Sequence, residues 1–542
     1  MLFKLANLHI SWDLYTCLPF FKSFVRPRPA SVRPRSFPPA VSGTRFRHKL
    51  FLSKDKAVSR FMPSFAHQRH FRILLPFLLL PERHATEAQT RIHSTEKADN
   101  MNWQQLISNK RFGLEFLHET RKDDRTEFQR DYDRLIFSAP FRRLQNKTQV
   151  FPLPGSIFVH NRLTHSLEVS CVGRSLGNET AALLLQKHPE LQNTHVTEIG
   201  SIVSAACLAH DLGNPPFGHS GEKAIGTYFS DGEGLKLKDM LEADEWEDLT
   251  HFEGNANAFR LLTHQFRGRR PGGFVLTYST LASIVKYPYS SELAGKKQKF
   301  GFFKSEKEAY CRIADELGII RISREGEPLR YARHPLVYLV EAADDICYQM
   351  MDIEDAHKLK ILTTDETKEL YCHFLSPERL KRAQEICRLV SDTNEQIAYL
   401  RSSVIGILIK ECTQVFIDEE AILAGRFEGP LIRHLPERSK QAYENCSRTA
   451  FAKIYCSKDV LDIELAGYQV ITTLINLLTE AVRFPEKAYS QLLINRISSQ
   501  YEVQAPSLYG KILAVLDYIS GMTDVYALDL YRKINGNSLP AV

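Results

Sequence analysis

The sequence predicts an all-α fold with a helical C-terminal lobe and at most a small β-hairpin. From Met101 onward, apolar residues recur at three- and four-residue spacing, which is the period of a helix with one buried face. Stretches that alternate between apolar and polar residues, the pattern of strands, are few. Neither an internal repeat nor a long linker interrupts residues 101–542. We therefore predict that this part of the chain forms one mostly helical domain.

Seven stretches, each of about three turns or more, carry the helical period. In chain order they are Leu163–Gln186, Thr197–His210, Leu336–Ala356, Lys368–Leu389, Ser403–Ile422, Ile463–Arg483 and Tyr509–Ile519. One hairpin is predicted between Lys299–Phe303 and Ile319–Ile322.

Residues 1–100 differ from the rest of the chain in charge and composition. They hold 17 Lys and Arg against 6 Asp and Glu, and 9 of the 25 prolines, with a basic run at Arg26–Arg35. Such a segment buries too little apolar surface to offset its chain entropy, so we predict disorder. It is either a basic arm for nucleic acid, a targeting peptide, or upstream sequence read from a start codon chosen too early. We favour the last interpretation, in which Met101 is the first residue.

The remaining composition restricts the class of protein. Residues 101–542 hold 53 Lys and Arg against 58 Asp and Glu, so the isoelectric point of 8.6 does not indicate a nucleic-acid-binding body. Ten cysteines without a CxxC pair indicate a reducing compartment and disfavour a disulfide framework. No apolar run reaches the roughly 18 residues of a membrane span. We predict a cytoplasmic protein without membrane contact.

Four residues have the chemistry of ligands for a hard divalent cation. His165 lies early in the first predicted helix, the pair His210–Asp211 ends the second, and Asp344 lies within the third. Two imidazoles and two carboxylates suit Mg²⁺ or Mn²⁺ and leave positions open for water and phosphate oxygens. A single helical histidine is more often a packing residue, but a bare charge in these apolar helices is costly unless it is paired or metal-bound.

His219 and Glu222 are candidates for proton transfer. They are three residues apart, so on a helical turn they share one face. A carboxylate beside an imidazole can hold its tautomer and support acid–base chemistry. Alternatively, Glu222 compensates the dipole at a helix start and His219 faces solvent. The residues alone leave both interpretations open.

The helix that contains Asp344 also predicts a nucleoside-binding wall. Tyr348 and Asp352 follow Asp344 by four and eight residues, so the three side chains project to one face. A ring can pack against a sugar while a carboxylate accepts a bond from a hydroxyl. The alternative is an amphipathic face with a core tyrosine and a solvated aspartate. Asp345 points about 100° away and is predicted to be structural.

Several cations are candidates for binding phosphate oxygens through charge-assisted hydrogen bonds. Arg162 lies one turn before the first predicted histidine ligand, Arg142 and Arg143 are adjacent, and Lys286 precedes Tyr287. Taken singly, each is more often an ordinary surface charge. No GxxxxGK[ST] motif is present, which disfavours a Walker-type NTPase.

Together these motifs resemble the bacterial deoxyguanosinetriphosphate triphosphohydrolase (dGTPase) family of the HD superfamily. The resemblance extends from Met101 to about Asn535 and covers none of residues 1–100. The matching blocks are Arg134–Leu153, Arg162–Val169, His210–Glu222, His251–Ala256, Val285–Pro288, Glu341–Ala356 and Asp517–Ala527.

The resemblance implies a metal-dependent hydrolase acting on triphosphoric monoester bonds, which cleaves dGTP into deoxyguanosine and triphosphate by attack of water on the α-phosphorus. It implies an all-helical HD fold at residues 101–542, assembled as a homo-oligomer, often a hexamer, and a response of some members to single-stranded DNA. Alternatives are a dNTPase of broader base specificity, an HD phosphodiesterase, a nucleic-acid-responsive binding protein, or an inactive HD fold.

The resemblance also implies roles for individual residues. His165, His210, Asp211 and Asp344 would be the metal ligands, and His219 and Glu222 the proton-transfer pair, with His251 as a second histidine on the phosphate side. Substrate would be bound by Arg162, Lys286, Tyr287, Tyr348, Asp352 and, more weakly, by Asn255 and Gln149. Asn214 departs from relatives that have histidine there, such as the animal dNTP hydrolase with a SAM domain, and fits the bacterial branch.

Overall fold

The computed structural model describes residues 100–116, 124–151 and 159–538, except the side chain of Asp459. All of them belong to one compact unit that spans Arg91–Val542. The segment 1–100, for which we predict disorder, lies outside the described residues apart from Asn100.

The described residues form 20 α-helices and no β-strand, which confirms the predicted all-α class. The first ten are α1 (Trp103–Leu106), α2 (Glu127–Ile136), α3 (Ala139–Arg143), α4 (Arg162–Lys187), α5 (Ile199–Ala209), α6 (His219–Ser230), α7 (Ala243–Thr250), α8 (Gly254–Thr263), α9 (Tyr278–Ile284) and α10 (Lys307–Glu316). The second ten are α11 (Leu336–Lys358), α12 (Thr364–Cys372), α13 (Pro377–Leu389), α14 (Thr393–Phe416), α15 (Glu420–Leu423), α16 (Glu437–Ala450), α17 (Lys458–Arg483), α18 (Ala488–Arg496), α19 (Leu508–Ser520) and α20 (Asp524–Ile534). A π-helical turn, Phe451–Tyr455, connects α16 to α17.

The predicted helix Lys368–Leu389 is wrong in its continuity, because the structure has α12 and α13 there. Pro377 occupies the first position of α13, where its missing N–H costs nothing. Ser376 caps α13 by accepting a bond from the backbone N–H of Arg379. The period of three and four residues continues across this break, so periodicity alone did not reveal it.

The predicted hairpin between Lys299–Phe303 and Ile319–Ile322 is not formed. Ile322 N–H donates to the carbonyl of Arg330, and Ala332 N–H donates to the carbonyl of Ile320, both at 2.8 Å. These two bonds form one isolated bridge, between Arg321 and Tyr331, rather than strands. The nearer partner prevails because a short turn through Gly326, at a φ of 83°, returns the chain at once.

Two hydrophobic cores organise the helices. The first contains Leu176, Val203 and Leu339, on α4, α5 and α11, and the second contains Ile225, Ile471 and Ile519, on α6, α17 and α19. Helices α4 and α5 pack so closely that a Cβ at Gly177 would lie 2.7 Å from the Cα of Gly200. This packing brings the start of α4, the end of α5 and the middle of α11 together.

Helix α17 is long and apolar enough, over Val460–Arg483, to cross a membrane by length and composition. Half of its most apolar window is buried inside the protein. Val470, Ile471 and Leu474 pack in the second core. Core packing accounts for the buried half of this helix.

A buried arginine network joins α8 to α19. Arg260 donates from Nε and Nη2 to the two carboxylate oxygens of Asp517 at 2.9 and 2.8 Å, and from Nη1 to Glu306 at 2.6 Å. All three side chains are buried. We expect Arg260→Ala to lower the free energy of unfolding by about 3–5 kcal/mol, because it leaves two carboxylates buried without their counter-ion.

Urea unfolding followed by circular dichroism measures this loss. The control is Arg125→Ala, which removes an exposed pair with Asp133. A loss for Arg260→Ala of no more than about 1 kcal/mol, the usual value for an exposed pair, would contradict the prediction.

Candidate active site

A cavity of about 530 Å³ lies where α4, α5, α6, α11 and α17 meet. It is lined by 12 of the 14 residues predicted to form the site, and also by Lys299, Glu253 and Tyr455. The predicted lining residues are Gln149, Arg162, His165, His210, Asp211, His219, Glu222, Asn255, Lys286, Tyr287, Asp344 and Tyr348.

Three of the predicted ligands form a compact donor cluster. One donor atom each from His165, His210 and Asp344 lies within 4.8 Å of the others. Nε2 of His165 is 3.1 Å, and Nε2 of His210 is 3.6 Å, from Oδ1 of Asp344. Burial raises the pKa of Asp344, but His210 and His165 outweigh it and hold this pKa below its usual value.

The orientation of His210 fits a bound cation. Its Nδ1–H donates to the carbonyl of Cys207 at 2.6 Å, which fixes the tautomer and leaves a lone pair on Nε2. That Nε2 is buried without a hydrogen-bond partner and faces Asp344. A buried, unpaired imidazole nitrogen beside an ionised carboxylate matches the donor set of a divalent metal.

Asp211 lies beside this cluster and contacts Arg162. Its Oδ1 is 3.6 Å from Nε2 of His210 and accepts a bond from Asn214, while its Oδ2 accepts a bond from Nη1 of Arg162 at 2.8 Å. Burial raises the pKa of Asp211, but Arg162 and His210 together lower it to about 2. Asp211 is therefore ionised, and its role as a fourth ligand stays a prediction.

His219 and Glu222 form a hydrogen-bonded pair at the start of α6. Nδ1–H of His219 donates to Oε2 of Glu222 at 2.8 Å, and the other oxygen accepts a bond from the N–H of Gly254. The imidazole is 84% exposed and faces the cavity, whereas Glu222 is buried. The bond to Glu222 raises the pKa of His219. Burial raises the pKa of Glu222, but His219 lowers it to about 2.

Two lysines also border the cavity. Nζ of Lys286 is 3.2 Å from Glu341, next to the ring of Tyr287. Nζ of Lys299 donates to Glu253 at 2.7 Å and lies 4.0 Å from Glu222. Each lysine is held by a carboxylate while it borders the cavity, which suits the binding of an anion.

Two tyrosines form the wall next to α11. The rings of Tyr348 and Tyr455 stack with centroids 5.9 Å apart and planes inclined by 17°. The hydroxyl of Tyr455 donates to Oδ2 of Asp352 at 2.7 Å. Asp352 is 4% exposed and lies behind Tyr455 rather than in the cavity lining. Burial raises the pKa of Asp352 to about 7.

Comparison with known proteins adds to this geometry. Residues 162–268 match the model of the HD domain, and residues 434–533 match the phosphohydrolase-associated domain. Three relatives bear the name deoxyguanosinetriphosphate triphosphohydrolase-like protein. The relative from Synechocystis sp. is 40% identical, that from Pseudomonas aeruginosa 38%, and that from Listeria monocytogenes 35%, each over 81% of this chain and 100% of the relative. The chain belongs to the deoxyguanosinetriphosphate triphosphohydrolase-like family. This confirms the family prediction, and the chain is an HD-domain phosphohydrolase, a class that depends on a metal.

In this triphosphohydrolase-like chain, three further predicted residues, besides Asp352, lie outside the cavity lining. His251 ends α7, with Nδ1 bonded to the carbonyl of Glu247 at 3.1 Å. Arg142 donates to the carbonyl of Phe137, and Arg143 lines a separate small pocket. The structure therefore does not bring these three side chains to the donor cluster of His165, His210 and Asp344.

Sequence reasoning missed Lys299, Glu253 and Tyr455. Lys299 lies in a lysine-rich loop that resembles any solvated charge run. Tyr455 follows α16, far along the chain from Tyr348, and only tertiary packing stacks the two rings. Only the HFEGNA block, which contains Glu253, gave a signal.

Proposed function

We propose that this chain hydrolyses dGTP to deoxyguanosine and inorganic triphosphate. The observation that carries the proposal is the convergence of a three-ligand donor cluster and the His219–Glu222 pair on one cavity. Its volume of about 530 Å³ lies in the range of pockets for a small organic ligand. The oxygen of water bonds to the α-phosphorus, and the bond from that phosphorus to the 5′-oxygen breaks.

His165, His210 and Asp344 would hold Mg²⁺ or Mn²⁺, with Asp211 as a further ligand. When bound, such a cation supplies Lewis-acid activation of water and of phosphate oxygens. His219 accepts the proton that water loses, and Glu222 stabilises the imidazolium that results. The same proton is then available to the departing 5′-oxygen.

The cations of the cavity would bind the triphosphate. Arg162 keeps donors free after its bond to Asp211, since its Nε is buried without a partner. Lys286 with Tyr287 and Lys299 border the same space. Charge that develops on the phosphate oxygens is stabilised by donors already in place. Asn255 and Gln149 would add polar contacts from the lining, whereas His251 would require movement to reach the phosphates.

The tyrosine wall would receive the sugar. Tyr348 and Tyr455 present stacked rings, and the family resemblance implies that Tyr348 would exclude a 2′-hydroxyl. Asp352, to which the family resemblance assigns the 3′-hydroxyl, lies behind Tyr455 and would require movement of that ring to reach the sugar. A preference for guanine rests on the family resemblance.

Product analysis tests the proposal. The protein is incubated with each dNTP and with GTP, in Mg²⁺ or Mn²⁺ and water labelled with heavy oxygen, and products are separated by anion exchange. We expect deoxyguanosine and a triphosphate that carries the label. Formation of a nucleoside diphosphate or release of pyrophosphate would contradict the proposed reaction. Equal rates for all dNTPs would favour a dNTPase of broader base specificity.

The family resemblance also supports a cytoplasmic homo-oligomer, a hexamer in many relatives, and single-stranded DNA as an effector. Light scattering after size exclusion measures the assembly. Addition of DNA to the dGTP assay measures the effector. A monomer in light scattering would contradict the proposed homo-oligomer, and an unchanged rate with DNA would contradict the proposed effector. Neither result would affect the proposed reaction.

A further inference from the structure

The turn that leads from the metal ligands to α6 has an uncommon backbone. Phe217 and Gly218 have φ angles of 63° and 59°, both in the left-handed region. For a bulky residue such as Phe217 this conformation is strained by about 1–3 kcal/mol and persists only where surroundings hold it. Gly218 is followed directly by His219, so this turn sets where α6 presents the imidazole.

A single carboxylate from the C-terminal lobe holds this turn. Oδ1 of Asp524 accepts the N–H of Phe217 at 2.9 Å. Oδ2 of Asp524 accepts the N–H of Thr148 at 2.8 Å. Asp524 is 7% exposed and occupies the first turn of α20. Bonds from backbone N–H groups to a carboxylate are roughly twice as strong as neutral ones.

The second peptide bound by Asp524 belongs to another segment of the cavity lining. Thr148 forms a β-bridge with Asn161, the residue that caps α4. Thr148 and its neighbour Gln149 both line the cavity. One side chain therefore connects the turn before His219 with the segment beside the start of α4.

A buried lysine strengthens the same connection. Nζ of Lys147 donates to the carbonyl of Asn214 at 2.6 Å and to the carbonyl of Ser520 at 2.7 Å. Asn214 belongs to the turn before α6, and Ser520 ends α19. Lys147 and Asp524 thus dock the connection between α19 and α20 on the back of the site. Neither side chain lines the cavity.

We propose that Asp524 is a positioning residue for the reaction, which holds the Phe217–Gly218 turn and the Thr148–Gln149 segment in the geometry that hydrolysis requires. This proposal rests on the proposed function. It assigns to the C-terminal lobe a direct part in setting the position of His219.

The experiment compares Asp524→Ala and Asp524→Asn with the wild type. The matched control is Asp529→Ala on the same helix, which removes an ion pair with Lys533 at a residue that does not line the cavity. We expect kcat for dGTP to fall about 10–100-fold in Asp524→Ala with a smaller change in KM, as for residues that orient catalytic groups. Asp524→Asn retains one acceptor oxygen and should lose less. The control should keep the wild-type kcat.

Hydrogen exchange of the full chain gives a readout that does not need activity. In Asp524→Ala the amides of Thr148 and Phe217 should exchange faster, together with the turn that precedes α6, while the control keeps its protection. If Asp524→Ala keeps the wild-type kcat at a temperature below its melting transition, the proposal is overturned. Unchanged exchange at both amides would overturn it as well. An inactive wild type whose exchange still responds to Asp524→Ala would refute the proposed function instead.

Discussion

Replacing His210 with alanine is expected to abolish dGTP hydrolysis, with a fall in rate of about 10³-fold or more. The Nε2 of His210 is buried, has no hydrogen-bond partner and lies 3.6 Å from Oδ1 of Asp344. Loss of a metal ligand removes several kcal/mol of transition-state stabilisation, and each 1.4 kcal/mol corresponds to about tenfold in rate. The substitution should leave the far-ultraviolet circular dichroism helical, because the side chain lies at the end of α5.

Metal content and rate are measured on the same preparation. The matched control is His373→Ala, since His373 is 48% exposed and its ion pair with Glu369 is long, at 4.0 Å. We expect bound Mn²⁺ to fall in His210→Ala and to stay at the wild-type value in the control. Near-native turnover of His210→Ala in buffer saturated with metal would show that His210 is not a ligand.

Replacing Glu222 with glutamine is expected to lower kcat by about 10²–10⁴-fold, the range for a general acid–base group. Glutamine can still accept the N–H of Gly254, so the local fold is retained. It cannot stabilise the imidazolium of His219. Glu222 does not belong to the donor cluster, so the metal content of the variant should not change.

The pH dependence gives a second, signed readout. Glu222 raises the pKa of His219, so in the wild type the neutral imidazole that accepts a proton forms only as pH rises through this raised pKa. In Glu222→Gln that pKa returns toward its ordinary value, and the acidic limb of the rate profile should move to lower pH. Glu369→Gln, beside the exposed His373, is the control and should keep both rate and profile. An acidic limb at the same pH in the wild type and in Glu222→Gln would exclude His219 as the base.

Much of the fold and of the donor cluster could be predicted from the sequence, because the relevant information is local. Apolar periodicity placed the four longest helices, α4, α11, α14 and α17, and polar residues in apolar helical stretches singled out His210 and Asp344. The spacing of His219 and Glu222 also correctly indicated a shared face. The break at Pro377 and the pairing of Ile320 with Ala332 depend on local turn chemistry that periodicity does not report.

The rest depends on contacts between distant parts of the chain. Tyr455 reaches Tyr348 only because α16 packs against α11. Asp524 reaches Phe217 only because α20 belongs to the second core, and nothing near Asp524 in sequence indicates this contact. For the same reason, helix spacing grouped Asp352 with Tyr348, although Tyr455 separates Asp352 from the cavity.

The wall contributed by α17 has a consequence for how such a protein can change during evolution. Val460, Ile463 and Glu464 line the cavity, and the carbonyl of Glu464 accepts a bond from Ser220 on α6. These residues belong to the phosphohydrolase-associated domain, whereas the predicted metal ligands His165 and His210 belong to the HD domain. A recombination event that transferred the HD segment alone would carry these histidines into a host without one side of the substrate cavity. We therefore expect the two segments to be inherited together, although 165 residues lie between the two matches.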